Sequence, residues 1–382
     1  MPGPPPITVL NLTKVRYLIT AENVPALMEL FGMLVLPLAV TKVAVDICGV
    51  AVSYVNALRR TLIDEMTGYA LHMPPENFNT TLTTEVFMLP GFVGDRIANI
   101  CLRPEIPPEV AAGLRLKLDV KNTTDSPLAI YAGDLEVEAG KMPFPIFNPT
   151  TEIAVIMPGA RLVIGGIYIK SGVGRDNAIY NNACCGSYTH LDLEQYSDAE
   201  MRKEGGAAVS QSGYKLSSLV ANPRCHRLSV YLPATSDNYH DEVHNRLSDG
   251  CSNIIERLRV LATSIEQHVK TPAGGLGGSG YTGRRGVQYT VVELESGLAE
   301  GTLRVPNETH TIGELLRSTI FERTPSIANV AYVIVSHENH LSLSVRHTED
   351  VTHVILDAIK FAIASFDTIR LGLAAASGSR SR

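Results

Sequence analysis

Val55-Asn-Ala-Leu-Arg-Arg-Thr-Leu-Ile-Asp-Glu65 lines up without gaps against Ile312-Gly-Glu-Leu-Leu-Arg-Ser-Thr-Ile-Phe-Glu322. The two stretches share Leu58/Leu315, Arg60/Arg317, Thr61/Ser318, Ile63/Ile320 and Glu65/Glu322. Each reads as a short amphipathic helix entered from a strand, Lys42 to Ile47 in one case and Thr302 to Val305 in the other. A second repeat follows each of them. Val243, Leu247, Cys251, Ile254, Leu258, Leu261 and Ile265 recur at steps of 4, 4, 3, 4, 3 and 4, and Val351, Ile355, Ile359, Ala362, Phe366, Ile369 and Leu373 repeat those steps one for one. Such spacing draws a single apolar stripe down a long helix. An alternating strand precedes each stripe, Leu228 to Leu232 and Leu341 to Val345.

Two modules emerge, each built as strand, short helix, further strands, long helix. In the second the two helices stand close together in sequence, whereas in the first a long stretch separates them, so the first module is read as opened by an inserted domain. The expected architecture is α+β: two related dimerisation modules, each a small sheet with a short and a long helix, pairing pseudo-symmetrically. The expected boundaries are an N-terminal extension at 1–40, a first module at 41–71 and 223–268, and an insert at 72–222. A linker at 269–286, a second module at 287–373 and a flexible tail at 374–382 complete the chain. Pro-punctuated alternating runs, Leu114 to Val120 and Arg161 to Ile169, make the insert β-rich. The apolar run Phe31 to Val40, broken by Pro37, is too short for a membrane span and reads as a buried strand or short helix.

Pro272 to Gly286, PAGGLGGSGYTGRRG, has seven glycines in fifteen residues and reads as a flexible coil. A phosphate-binding loop is the rival reading. The stretch lacks a Gly-Lys-Ser/Thr ending, and a strand rather than a helix is expected after it.

With 33 basic and 39 acidic residues, the net charge of −6 excludes bulk attraction to nucleic acid. The six cysteines, Cys48, Cys101, Cys184, Cys185, Cys225 and Cys251, form no regular framework; with 45% hydrophobic residues a chain of 382 needs no disulfide staples, so a reducing, intracellular compartment is expected. The N-terminal Met-Pro-Gly-Pro-Pro-Pro has no signal-peptide pattern, and the sequons at Asn11, Asn79, Asn122 and Asn307 are read as chance matches.

Enzyme readings each meet a plainer rival. His240 and His244 stand one helical turn apart, a metal-ligand spacing, but Asp241 occupies the place of a zinc protease's Glu, and Val243 belongs to the apolar stripe. Cys225 and His226 are neighbours on a strand, so they point to opposite faces and form no nucleophile–base pair there. Near His310, Thr309 or Thr311 is placed to cap a helix.

The stripes themselves need cover. A module of about 95 residues is marginal alone, and burying an apolar side chain contributes roughly 1.5–3 kcal/mol. The partner for one stripe is its copy, and a shared chain raises the effective concentration to roughly millimolar. The expected pairing surface comprises Val55, Leu58, Leu62, Val243, Leu247, Ile254, Leu258, Leu261 and Ile265 from the first module. From the second it comprises Ile312, Leu315, Leu316, Val351, Ile355, Ile359, Ala362 and Phe366.

Several motifs resemble a known family. Val52-Ser-Tyr-Val-Asn-Ala-Leu-Arg-Arg-Thr-Leu-Ile-Asp-Glu65 is similar to the first-helix signature of the larger alpha-like subunit of multisubunit RNA polymerases. So are Asn79-Thr-Thr-Leu, Asp95-Arg-Ile-Ala-Asn-Ile-Cys-Leu102 and Gly172-Val-Gly-Arg-Asp-Asn-Ala-Ile-Tyr180 to its later motifs. Glu308-Thr-His-Thr-Ile-Gly-Glu-Leu-Leu-Arg317 resembles the smaller alpha-like subunit, and its Thr-Ile-Gly-Glu-Leu-Leu-Arg run is the most specific match. Asp95, Ala98, Cys101, Asn177 and Tyr180 depart from the family's residues, and the vicinal Cys184-Cys185 cannot replace the family's spaced cysteine cluster, so no metal loop is expected.

The resemblance implies a fused pair of alpha-like assembly subunits, a form known from large cytoplasmic DNA viruses. It implies no catalytic residue, cofactor or metal of the chain's own. Its partners would be the two largest polymerase subunits and smaller accessory subunits, with DNA and RNA met only through the complex, no membrane, and a place in the virion and host cytoplasm, or alternatively the nucleus. Arg59, Arg60, Arg96, Arg175 and Arg317 are the expected large-subunit contacts; solvated helix arginines paired with acidic neighbours, as Arg60 with Asp64, are the alternative. A stand-alone homodimer using the same stripes is the second reading of the whole chain, and a metal-dependent hydrolase the third.

Overall fold

The computed structural model describes residues 7–19, 38–80, 89–102, 106–142, 146–147, 149–181, 183–191, 224–233, 239–270, 281–282, 286–294, 297–335 and 339–378. The class is α+β, with antiparallel sheets and six α-helices among the described residues.

One sheet has the order β1-β2-β11-β10, from β1 (Thr8–Ile19), β2 (Leu38–Cys48), β10 (Cys184–His190) and β11 (Cys225–Pro233). Another has the order β12-β13-β14-β16-β15, from β12 (Tyr281–Thr282), β13 (Gln288–Glu293), β14 (Ala299–Pro306), β15 (Asn329–Val335) and β16 (His340–His347). In each, the strand that leads into a short helix pairs with the strand that leads into a long one. β2 leads to α1 (Val52–Arg60) and β14 to α5 (His310–Arg323), while β11 precedes α4 (Tyr239–Lys270) and β16 precedes α6 (Val351–Gly378). The intervening stretch carries α2 (Pro90–Ala98), α3 (Pro108–Gly113) and a sheet of β3 (Thr67–His72), β4 (Phe78–Thr80), β5 (Arg115–Lys121), β7 (Glu136–Ala139) and β9 (Arg161–Val173). A two-stranded sheet joins β6 (Leu128–Tyr131) to β8 (Glu152–Ile156).

Period-2 and period-3.6 patterns place these elements in two apolar clusters. One runs from Leu71 to Ile169 and uses the inward residues of β5 and β9, such as Leu116, Leu118, Leu162 and Ile164. The other takes residues from both short helices, both long helices and the sheets β1-β2-β11-β10 and β12-β13-β14-β16-β15. Asn122 is fully buried, its amide donating to Ser126 O and Ile156 O, so that sequon has no free nitrogen.

Several expectations are corrected. The extension at 1–40 contains β1, which pairs with β2 along its length and packs on α6, where Gly372 lies against Val9. A register shift between Leu10 and Thr13 breaks the alternation that would have marked this strand. Of the apolar run Phe31 to Val40, residues 38–40 begin β2 and the rest lies outside the described residues. The first short helix does not stay α-helical to Glu65, because Thr61–Glu65 forms a π turn. The closing helix continues to Gly378, through the strong helix formers Ala374 to Ala376, where a flexible tail was expected. Tyr281–Thr282, expected within the coil, forms β12; residues 271–280 and 283–285 of that linker lie outside the described residues. Cys48 and Cys225, directly opposite on β2 and β11 with Cα atoms 4.0 Å apart, form a disulfide, against the expectation of no staples.

Candidate assembly interface

The apolar stripes meet. On α4, Leu247, Cys251, Ile254, Leu258, Leu261 and Ile265 are buried, as are Val351, Ile355, Ile359, Ala362, Phe366, Ile369 and Leu373 on α6, and the two long helices pack along each other. Val243 lies on α4 with its side chain outside the described residues, as do the side chains of His240 and His244. Val55, Leu58 and Leu62 on one side, and Ile312, Leu315 and Leu316 on the other, are buried in the same cluster.

α1 and α5 cross through hydroxyl contacts. Ser53 Oγ donates to Ser318 Oγ at 3.0 Å, and Tyr54 Oη lies 2.9 Å from Thr319 Oγ1. Thr319 Oγ1 already donates to Leu315 O at 2.7 Å, so Tyr54 is the donor of the pair. Burial pushes the Tyr54 phenol up to about 12, which keeps that proton in place. Its ring lies 5.4 Å from Phe366 on α6.

An ion network closes one end of this crossing. Arg257 on α4 donates to Glu65 Oε2 at 2.6 Å and, bidentately, to Glu308 at 3.0 and 2.5 Å. Thr309 Oγ1 donates to Glu65 Oε1 at 2.7 Å, and Thr311 Oγ1 donates to the same oxygen. Thr309 also caps α5, accepting from Thr311 N. Burial alone would raise the Glu65 carboxyl. The Arg257 charge and the bonds from Thr311, Thr309 and Arg257 outweigh that and hold it below its ordinary value. Asp64 is shifted the other way, by burial and then by the Glu65 charge.

The five arginines are spread out, each with a partner in this chain. Arg60 Nε donates to Thr311 Oγ1 at 2.9 Å, a bond between the two short helices, and not to Asp64. Arg59 bonds Asn56 at 3.1 Å and Gly186 O at 3.4 Å. Arg317 pairs with Glu314 on its own helix. Arg96 reaches Glu152 at 3.3 Å. Arg175 Nη1 donates to Asn307 O at 2.9 Å while its backbone N donates to Asp64 O at 2.9 Å. The structure brings Arg60 and Arg317 to the α1/α5 crossing, turns Arg59 toward Gly186 on β10, holds Arg175 beside Asn307, and leaves Arg96 beside Glu152, away from the crossing. The sequence reading missed the roles of Tyr54, Arg257, Glu308 and Glu65; Tyr54 and Glu308 stood inside the quoted motifs and Glu65 at a repeat position, whereas Arg257 carried no signal. Cys225 and His226 do diverge: Cys225 joins Cys48, whereas His226 is buried beside His190 and Val50 O.

No protein-family model matches the chain. It is 32% identical over 339 residues, covering 87% of its length and 88% of theirs, to proteins named DNA-directed RNA polymerase RPB3-11 homolog from the Malawi tick isolate and the Badajoz strain of African swine fever virus.

Proposed function

The chain belongs to this family of DNA-directed RNA polymerase RPB3-11 homologues, and from that premise we propose that it is the polymerase's non-catalytic assembly platform. Its two alpha-like modules pair with each other inside one polypeptide, pseudo-symmetrically, and the paired modules present α1 and α5 to the two largest subunits. The observation that carries this reading is the single apolar cluster drawn from both stripes, both short helices and both sheets. The described stripe residues of both long helices are buried against one another within one chain rather than left for a second copy, which favours the fused heterodimer over the homodimer. Arg59 and Arg317, beside the crossing, supply cations at the rim of the large-subunit surface, and Arg60 serves both that rim and the bond to Thr311. The insert meets accessory subunits, DNA and RNA are reached only through the complex, no cofactor is held, and the site of action is the virion and the infected cell's cytoplasm, with the nucleus as the alternative compartment.

Tagged chain expressed with the other viral polymerase subunits should co-purify both largest subunits, identified by mass. Arg59→Ala should leave the melting temperature unchanged and lower their recovery. Elution at twice the chain mass with no large subunit would overturn the platform reading and favour the homodimer.

A further inference from the structure

Two cavities flank the α1/α5 crossing, and the repeat relates six lining residues of one to six of the other. The first, of about 360 Å³, is lined by Glu65, Asn253 and Arg257 together with Pro306, Asn307 and Glu308. The second, of about 260 Å³, is lined by Glu322, Phe361 and Ser365 together with Gly49, Val50 and Ala51. The short-helix repeat pairs Glu65 with Glu322 and, carried back along the same frame, Pro306 to Glu308 with Gly49 to Ala51. The long-helix repeat pairs Asn253 with Phe361 and Arg257 with Ser365.

Their surroundings differ. The first cavity is walled by the chain's own turn after β9, whose Val173 and Arg175 line it. That turn comes close: Arg175 N donates to Asp64 O, and a Cβ added to Gly174 would stand 2.9 Å from Asp64 Cα. Asp64 corresponds to Phe321 in the second module. Phe321 is 62% exposed, although it immediately precedes two residues that line the second cavity, Glu322 and Arg323. The helix position that the insert covers in one module is therefore a bare aromatic ring in the other. The wall beside it is apolar, with Ile7, Tyr54 and Phe361, and Arg323 lies over the Phe361 ring at 4.2 Å. This cavity also shares Ala51, Arg224 and Glu322 with the groove along Ser53, Asn56 and Arg317, so it continues the face assigned to the large subunits.

We propose that Phe321 and the adjoining cavity are a docking site for an extended apolar segment of another polymerase subunit, which takes the place that the Val173–Arg175 turn takes at the related site. This rests on the reading of two paired modules within a polymerase. Glu322 is already paired with Arg224 at 3.1 Å, so the segment's contribution is an aliphatic or aromatic side chain rather than a charge.

The test uses the co-expressed complex. A photoreactive benzophenone amino acid at position 321 should give, on irradiation, an adduct with another polymerase subunit. The same group at position 64 should give an adduct within the chain, to the turn at 173–175. Phe321→Asp should leave the isolated chain's melting temperature unchanged, because the ring is exposed, and should lower recovery of the cross-linked subunit about tenfold or more. A position-321 adduct that is absent, confined to this chain or made to a second copy overturns the docking site while leaving the platform reading intact, provided the large subunits still co-purify with the unmodified chain. If no subunit co-purifies with the unmodified chain, both fall.

Discussion

Arg257 holds Glu308 through two parallel bonds, Nε to Oε1 at 3.0 Å and Nη2 to Oε2 at 2.5 Å, and so ties α4 to the residue before the N-cap of α5. Its third nitrogen, Nη1, donates to Glu65. Removing one partner of such a network leaves the others buried without compensation, which costs about 3–5 kcal/mol. Arg257→Ala should lose stability on that order in urea unfolding. Arg257→Met combined with Glu65→Gln and Glu308→Gln should recover most of the loss, because no charge is then stranded.

The Glu65 carboxylate makes the fold acid-sensitive. Glu65 is held below its ordinary value of 4.5 in the folded chain, so its contribution is fully present above that value and is lost as pH falls through the lower folded value. Between pH 7 and pH 3 the melting temperature of the native chain should therefore fall more steeply than that of Glu65→Gln, and the two curves should converge at the acid end. Parallel curves would remove Glu65 from the account.

Phe366 fills the seam between α6 and α1, fully buried against the Tyr54 ring. Phe366→Ala should destabilise by about 3–5 kcal/mol through lost burial and the cavity left behind. On the same helix Leu371 is 67% exposed, and Leu371→Ala should change stability by no more than about 0.5 kcal/mol. Chemical unfolding of the two variants side by side separates the buried stripe from its outer face.

These contrasts explain what was legible beforehand. A stripe at helical spacing is a local pattern, so Leu258, Leu261, Ile359 and Phe366 declared themselves in the sequence, as did the alternation of β11 and β16. Arg257 and Glu65 stand 192 positions apart, and nothing near either residue announces the other. The same holds for Cys48 and Cys225, which meet only because β2 and β11 pair after the long intervening stretch. The arginines were recognised by type and expected as large-subunit contacts; for Arg60 the alternative, helical pairing with Asp64, does not form, because the π turn at Thr61–Glu65 alters that spacing and Thr311 takes the bond.

β1 was missed for a local reason, and its packing gives a sharp test. A Cβ built on Gly372 would stand 2.7 Å from Val9 Cγ2 and 2.9 Å from Val9 Cβ, so the α6 surface needs glycine there to let the strand approach. Gly372→Val should push β1 away at a cost of about 1–3 kcal/mol. Limited proteolysis should then cut within residues 8–19 faster than in the native chain, with α6 and the core left intact.

Cysteine reactivity separates three environments in one experiment. Cys101 is exposed and should take an alkylating label at once in the native protein. Cys251 is fully buried on the α4 stripe, and burial pushes its thiol up to about 12, so it should resist labelling until the chain unfolds. Cys48 and Cys225 should label only after a dithiol reductant is added. Because their bridge spans a sequence separation of 177 and ties β2 to β11, the chain-entropy model assigns it up to about 5 kcal/mol. Reduction should accordingly lower the melting temperature of the native chain and leave that of a Cys48→Ser, Cys225→Ser variant where it was. Mass analysis of labelled peptides, in a Cys184→Ser, Cys185→Ser background, reads all three, and immediate labelling of Cys48 and Cys225 without reductant would count against the bridge.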